Sequence, residues 1–348
     1  MNEKFLIGTY TINDSEGIYQ IELDTEKKQL QNTLLVAKIG SPTYLAESKA
    51  KKIYAVDRNM EQPELRGGVA VFDGKKIPSL MLQENIETGT SDAFVAIDEE
   101  KQLVFTANYH MGHVSVYSIN PDGTLELTDR AFAKGEVGPK PEQADGAHPH
   151  YANLTPDNRL IVCDLGIDKV SVYDVSDEGK LSLVSEYEPA PGYGPRNISF
   201  AGNSNKGYLV GELSSEVSVL DYDQKTGSLT LEQEISTIPD DWTEHNGAAA
   251  IKISRDNRFI YVSNRGNDSI AVFKILANGT LERIQIISTE GEFPRDFEFS
   301  SDESLLIACN QNSDNATLFE RNSETGKLTM IQKDFEVPEG TCIVRRDV

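Results

Sequence analysis

Apolar and polar positions alternate along the chain in short runs, the two-residue period of β-strands. No stretch sustains the period of a helix. Two patterns recur. The first is an alternating run, a polar turn that often contains Gly, and then Leu or Ile. It occurs as DTEKKQL from Asp24, DGKKI from Asp73, NPDGTL from Asn120, SDEGKL from Ser176, DQKTGSL from Asp223, ANGTL from Ala277 and SETGKL from Ser323. These seven copies, roughly 50 residues apart, are hairpin signals. The second is a short strand, a polar turn and a more apolar strand. It begins at Tyr44, Phe94, Tyr151, Ile198, Ala249 and Asp296, which makes six copies. Its two missing halves lie at the ends of the chain: FLIG from Phe5 resembles the second strand, and TCIVRR from Thr341 the first.

Seven copies of one pattern and six plus a split copy of the other describe a closed ring. With strands A to D in each unit, the chain starts on strand B of unit one and ends on strand A of the same unit. Closure protects sheet edges that would otherwise stay open. The expected fold is all-β, a seven-bladed β-propeller with four antiparallel strands per blade, its ring closed by the N- and C-terminal strands in one blade. Two β-sandwiches would explain neither the even spacing nor the split. No linker or low-complexity tract interrupts the repeat, so residues 1–348 read as one domain.

Composition narrows the function. Among 348 residues, 56 acids face 33 bases, a formal net charge of −23. Nucleic acid and anionic membrane both call for a basic footprint, so neither is an expected partner. No apolar run approaches a membrane span, and MNEKFLIGTY lacks the form of a signal peptide. Cys163, Cys309 and Cys342 are odd in number and far apart, as reduced thiols in a cytoplasmic protein would be. They fall in apparent strands and read as buried. Walker, Rossmann, HExxH and GxSxG patterns are absent.

Blade topology sorts the remaining candidates. The A–B and C–D turns share one face, the B–C and D–A connections the other. The second set holds the two long loops, near 134–147 and 236–246, and all five histidines. Longer loops on a rigid scaffold are where function concentrates. His110 and His113 read as surface residues. His148 and His150 lead into strand A of blade four, and His245 into that of blade six. As strand neighbours two apart, His148 and His150 would share a side and could hold a metal. No third ligand is evident beyond nearby Glu142 and Asp145, so no metal is assigned. Arg58 and Arg265 follow strand B, Arg196 and Arg295 begin strand A, and Glu212 follows strand B of blade five. Trp242, the only Trp, reads as a lid or a wedge.

HYANLTPDN at His150, GPRNISF at Gly194, GELSSEVSVLDYD at Gly211, AAAIKISRDNRFIYVSNRGNDSIAVF at Ala248 and FPRDFEFSSDESLLIACNQNSDNATLF at Phe293 carry a resemblance that spans nearly the whole chain. The chain resembles the seven-bladed propeller lactonases, a group that includes the bacterial propeller-type 6-phosphogluconolactonase and the fungal carboxymuconate cyclase. The resemblance implies lactone hydrolysis without a cofactor. It places the family's His on His150, its arginines on Arg196 and Arg265, and its Glu on Glu212. Arg295 occupies the related PR element of the next blade. Three positions depart from the family pattern: Gly211 and Lys252 replace a frequent Asn and His, and Asn197 stands where a His commonly follows the Arg.

The implied chemistry suits these side chains. His150 or Glu212 would activate water, while Arg196 and Arg265 would grip the anion and the developing oxyanion. Arg295, His148 and His245 are expected to bind substrate. The partner is a small anionic lactone, and the protein is expected to be a monomer or weak homo-oligomer. Three readings stand: a sugar lactonase, most simply on 6-phosphogluconolactone; a cycloisomerase or lactonase on a muconate-type dicarboxylate; and a non-catalytic binding scaffold.

Overall fold

The computed structural model describes residues 2–59, 66–202 and 204–346. Asn203, in the expected A–B turn of blade five, lies outside the described residues. The strands form seven separate four-stranded antiparallel sheets. Blade one holds β1 (Asn2–Thr9), β2 (Gly17–Asp24) and β3 (Gln29–Lys38). Blade two is β4 (Leu45–Glu47), β5 (Lys52–Asn59), β6 (Arg66–Asp73) and β7 (Leu80–Thr88). Blade three is β8 (Phe94–Asp98), β9 (Leu103–Asn108), β10 (His113–Ile119) and β11 (Leu125–Phe132). Blade four is β12 (Pro149–Leu154), β13 (Leu160–Asp164), β14 (Lys169–Val175) and β15 (Leu181–Tyr187). Blade five is β16 (Pro195–Phe200), β17 (Lys206–Gly211), β18 (Glu216–Asp223) and β19 (Ser228–Ser236). Blade six is β20 (Gly247–Ile253), β21 (Phe259–Arg265), β22 (Ser269–Ile275) and β23 (Leu281–Ser288). Blade seven is β24 (Pro294–Phe299), β25 (Leu305–Asn310), β26 (Asn315–Arg321) and β27 (Leu328–Glu336), and β28 (Gly340–Arg345) returns to blade one.

The split unit closes as its sequence predicts. β28 pairs antiparallel with β1, with Phe5 opposite Arg345 and Ile7 opposite Ile343. Among the described residues the only helical turn is a 3-10 segment, Pro141–Gln143, in the long β11–β12 connection. That loop is organised around Gln143, whose amide donates to Leu165 O (2.8 Å) and accepts from the Lys140 N–H (3.0 Å).

The described chain gathers into two compact units. One comprises Met1–Val36, Asn197–Asp221 and Leu231–Val348, the other Ala37–Arg196 and Tyr222–Thr230. In both, the core lies between the faces of consecutive sheets. In the first, Phe5, Ile7 and Ile21 pack with Ile307 and Leu318, and Val210 and Val219 pack with Ile260 and Phe273. In the second, Phe105 and Val116 of blade three meet Ala152 and Val162 of blade four. A strand covered on both faces can be apolar at every position. This explains why strand B, such as Leu103–Asn108 or Leu305–Asn310, is buried throughout, whereas outer strand D stays half exposed.

A tyrosine on strand B ties successive blades and gives the Gly turn a purpose. The Tyr208 hydroxyl donates to Gly279 O (3.0 Å) and that of Tyr261 to Gly326 O (2.7 Å). In the second unit Tyr54 donates to Gly123 O (3.1 Å). Each acceptor is the glycine of the next blade's C–D turn, all three with positive φ. The buried phenol thus finds its partner in the neighbouring hairpin, as buried Tyr hydroxyls usually do.

Candidate active site

In the first unit, two strand-B ends bring an acid and a base together. β17 delivers Glu212 just past Gly211, and β21 ends on Arg265. Glu212 Oε2 lies 2.8 Å from Arg265 Nη2. The Arg265 side chain is only 7% exposed and that of Glu212 20%, so the pair is largely desolvated. Arg265 Nε also donates to Gly247 O (3.0 Å) and Nη2 to Ala248 O (3.3 Å). The guanidinium lies 5.2 Å from the centre of the Phe293 ring. These contacts fix its plane and leave Nη1 without a partner among the described residues.

Arg295, on β24, is the second cation. Its Nη1 donates to Gln311 Oε1 (3.2 Å) and toward the Tyr10 hydroxyl (3.4 Å), and its guanidinium lies over the Tyr10 ring at 5.4 Å. Burial pulls the pKa of Arg265 down, Glu212 pushes it up, and the charge of Arg295 pulls it down again. The two guanidiniums therefore feel each other, and Glu212 offsets the charge at Arg265. An arginine remains protonated under such pressure.

Backbone geometry supports the pair. A Cβ at Gly247 would come within 2.9 Å of Arg265 Nη2, so the glycine makes room for the guanidinium. Gly266 follows Arg265 with φ +116°, and a Cβ there would meet His245 O at 2.3 Å. Gly266→Ala should therefore destabilise the protein by at least about 2 kcal/mol, measured by urea unfolding. His245 itself is exposed in the β19–β20 connection, and Trp242 is half-buried in that loop.

In the second unit, β12 and its lead-in carry two histidines. His148 is 3% exposed and fully engaged. Its Nδ1 lies 2.7 Å from Tyr109 O and its Nε2 2.8 Å from Asp145 Oδ1, and its ring stacks on Tyr109 at 4.2 Å. The hydrogen bond from His148 holds the Asp145 carboxyl below its usual range. His150 is also buried, edge-on to the same Tyr109 ring at 6.0 Å. His110 is exposed, as expected, but His113 is not. It begins β10, is 3% exposed, and packs against Phe132 at 5.3 Å. Its place at the head of an apolar alternating strand turns it inward. Among the described residues, no three His, Cys, Asp or Glu side chains are grouped closely enough to share a metal ion.

A recurring aspartate positions the arginines, and sequence reasoning missed it. In the turn after strand B, Asp168, Asp268 and Asp314 all take positive φ. The Asp168 carboxylate accepts the N–H groups of Gly192 (2.6 Å) and Gly194 (2.7 Å), the loop that delivers buried Arg196. Asp268 accepts the Phe293 N–H (2.8 Å), two residues before Arg295. Asp314 accepts the Glu339 N–H (2.8 Å), and the Glu339 carboxylate takes the N–H groups of Ile12, Asn13 and Ser15, beside Tyr10. The signal lay in Gly-Ile-Asp, Gly-Asn-Asp and Asn-Ser-Asp at equivalent places in three blades.

Asp164 ends β13. Its Oδ1 accepts the N–H groups of His148 (2.7 Å), Gly166 (3.0 Å) and Ile167 (3.3 Å). Burial raises its pKa to about 6, against the lowering effect of those bonds. The folded protein therefore holds this proton more tightly than the unfolded chain. The contribution to stability is full below about pH 4 and is lost as pH rises through 6. Relative to wild type, Asp164→Asn should gain about 3 kcal/mol between pH 4 and pH 7, read from paired denaturation curves. Parallel curves would show that Asp164 titrates as in water.

Residues 4–345 match the family described as lactonase, 7-bladed beta-propeller, and the chain belongs to it. It is 41% identical over 341 residues to a Bacillus subtilis protein named 6-phosphogluconolactonase, covering 97% of this chain and 96% of that one. A crystal structure of a protein from Lactobacillus plantarum matches with a TM-score of 0.96 at 48% identity, over 100% of both chains. The periplasmic gluconolactonase of Pseudomonas aeruginosa matches with a TM-score of 0.90 at 27% identity, again over 100% of both.

Proposed function

We propose that this lactonase hydrolyses a sugar lactone, with 6-phosphogluconolactone as its substrate, in the cytoplasm. The observation that carries the reading is the Glu212–Arg265 pair with Arg295 beside it. Two guanidiniums against one carboxylate make a receptor for an anionic substrate. Full-length identity to a protein named for this activity supports the choice of lactone. Cys163, Cys309 and Cys342 are buried thiols rather than disulfides, which agrees with a reducing compartment.

Lactone opening needs an attacking water and a stabilised oxyanion. Glu212, ion-paired with Arg265, can take the proton from that water. Arg265 Nη1 can donate to the oxygen that becomes negative as the tetrahedral centre forms. Arg295, with Nε and Nη2 uncommitted among the described residues, can hold phosphate bidentately. Collapse of the tetrahedral centre breaks the ring C–O bond, and the leaving alkoxide takes back the proton held by Glu212 to give the hydroxy acid and restore the carboxylate. His150 and Arg196 belong to the same proposal as the positions that match the family's His and Arg motifs. His150 is then the alternative base and Arg196 a further anion clamp. His148, with both ring nitrogens engaged, serves the proposal as a positioning residue for Pro149 and His150.

The test is a coupled assay of 6-phosphogluconolactone hydrolysis, corrected for the spontaneous rate. Glu212→Gln, His150→Ala and Arg196→Ala are compared with wild type. Each is expected to lose tenfold or more in kcat/KM. Wild-type activity that survives all three would remove these residues from the reaction. No activity above the spontaneous rate would point to a dicarboxylate lactone instead.

A further inference from the structure

Between blades three and four, within the second unit, lies a cavity of about 340 Å³. Its walls are largely apolar, with Val114, Phe132, Val162, Ile167 and Leu183, but Lys134, Lys169 and Glu186 line it as well. Asp164 lines it too. The residue is 3% exposed, and its second carboxyl oxygen, Oδ2, has no hydrogen-bond partner among the described residues. Three N–H groups converge on Oδ1, so the carboxyl is oriented by the backbone while Oδ2 is left unused. A buried polar atom without a partner carries a desolvation penalty, and such atoms are rare in folded proteins.

We propose that this cavity binds a small organic ammonium ion, a primary amine whose charged head bonds Asp164 Oδ2 and whose apolar body lies against Phe132, Val162 and Leu183. An ammonium group supplies what Oδ2 lacks: a charge-assisted donor. The other charges favour the same choice. Lys169 lines the cavity, but it is committed to Glu186 (3.3 Å), Glu188 (3.6 Å) and Lys134 O (3.2 Å). Lys134 also lines the cavity, at an exposed position. Glu186 lines the cavity as well, so an incoming carboxylate would meet two acids. The volume suits a ligand of modest size, at the lower end of small-molecule pockets. The amine's head would then sit one residue's breadth from the backbone of His148, because the same carboxyl holds that N–H.

The probes are 2-phenylethylamine, 2-phenylethanol and phenylacetate, alike in shape and differing in charge. Binding at pH 7.5 is read by isothermal titration and by NMR shifts. The amine is expected to bind saturably, the alcohol at least tenfold more weakly and the carboxylate more weakly still. Asp164→Asn should weaken the amine at least tenfold while leaving the alcohol unchanged. Leu183→Lys, at an exposed position on the rim, should also weaken the amine selectively. It keeps the test intact should Asp164→Asn not fold. Equal affinity for amine and alcohol, an unchanged Asp164→Asn, or no saturable binding would each overturn the proposal.

Discussion

Replacing Arg265 by Met should lower kcat/KM for 6-phosphogluconolactone by a factor of about 10² to 10³, the usual loss when one oxyanion donor is removed. The loss should fall mainly on kcat, because Nη1 acts as charge develops. Arg295→Ala should behave differently. Arg295 is proposed to hold the phosphate, which is present in substrate and transition state alike, so its loss should raise KM by tenfold or more and change kcat little. Arg265→Lys keeps the charge but not the planar fork, and should recover only part of the rate. The Glu212 carboxylate loses its ion pair with Arg265 in Arg265→Met, so a modest fall in thermal midpoint should accompany the kinetic loss. A threefold effect or less on kcat/KM would exclude Arg265 from transition-state stabilisation.

Lys252→Met is expected to cost about 2–3 kcal/mol of stability, although Lys252 touches none of the proposed catalytic groups. Its ammonium lies 2.9 Å from Glu298 Oε2 and 3.6 Å from Asp296 Oδ1. Burial works against the charge on Lys252, but the two carboxylates outweigh it and hold the amine protonated. Removing the cation leaves two acids close together, one of them, Asp296, only 8% exposed. Asp296 also anchors the backbone of β28 by accepting the Ile343 N–H at 3.0 Å. The effect should be larger at pH 8 than at pH 5, where the orphaned acids can take up a proton. Adding Asp296→Asn and Glu298→Gln to Lys252→Met should restore much of the loss. A single variant as stable as wild type at pH 8 would show that solvent already screens the cluster.

Much of this was written in local pattern, and some was not. Strand type, blade number and the split first blade followed from period and spacing, because a β-hairpin is a short-range event. Arg265 and Glu212 could be placed at the ends of their strands for the same reason. Their mutual 2.8 Å contact could not, because pairing across blades depends on how two sheets pack. His113 misled because a histidine in a polar stretch usually faces water, whereas the strand that follows it turned it inward. His148 was legible as a loop residue, but not as one whose two nitrogens are engaged by Tyr109 O and Asp145. The positioning aspartates were visible as a repeat and went unread, because their partners are backbone N–H groups about 25 residues further on.

The pairing of β28 with β1 also bears on how the protein is made. During synthesis the N-terminal strand leaves the ribosome early, with β2 to pair with on one edge. Its other edge waits until residues 340–345 have been translated. Throughout that interval β1 presents unpaired N–H and C=O groups of the kind that recruit foreign strands. Such distant pairing is also slow, because the loop it closes is long. A nascent chain stalled before β28 should therefore be the form most prone to aggregate and most in need of a chaperone, and the emergence of residues 340–345 is what ends that exposure.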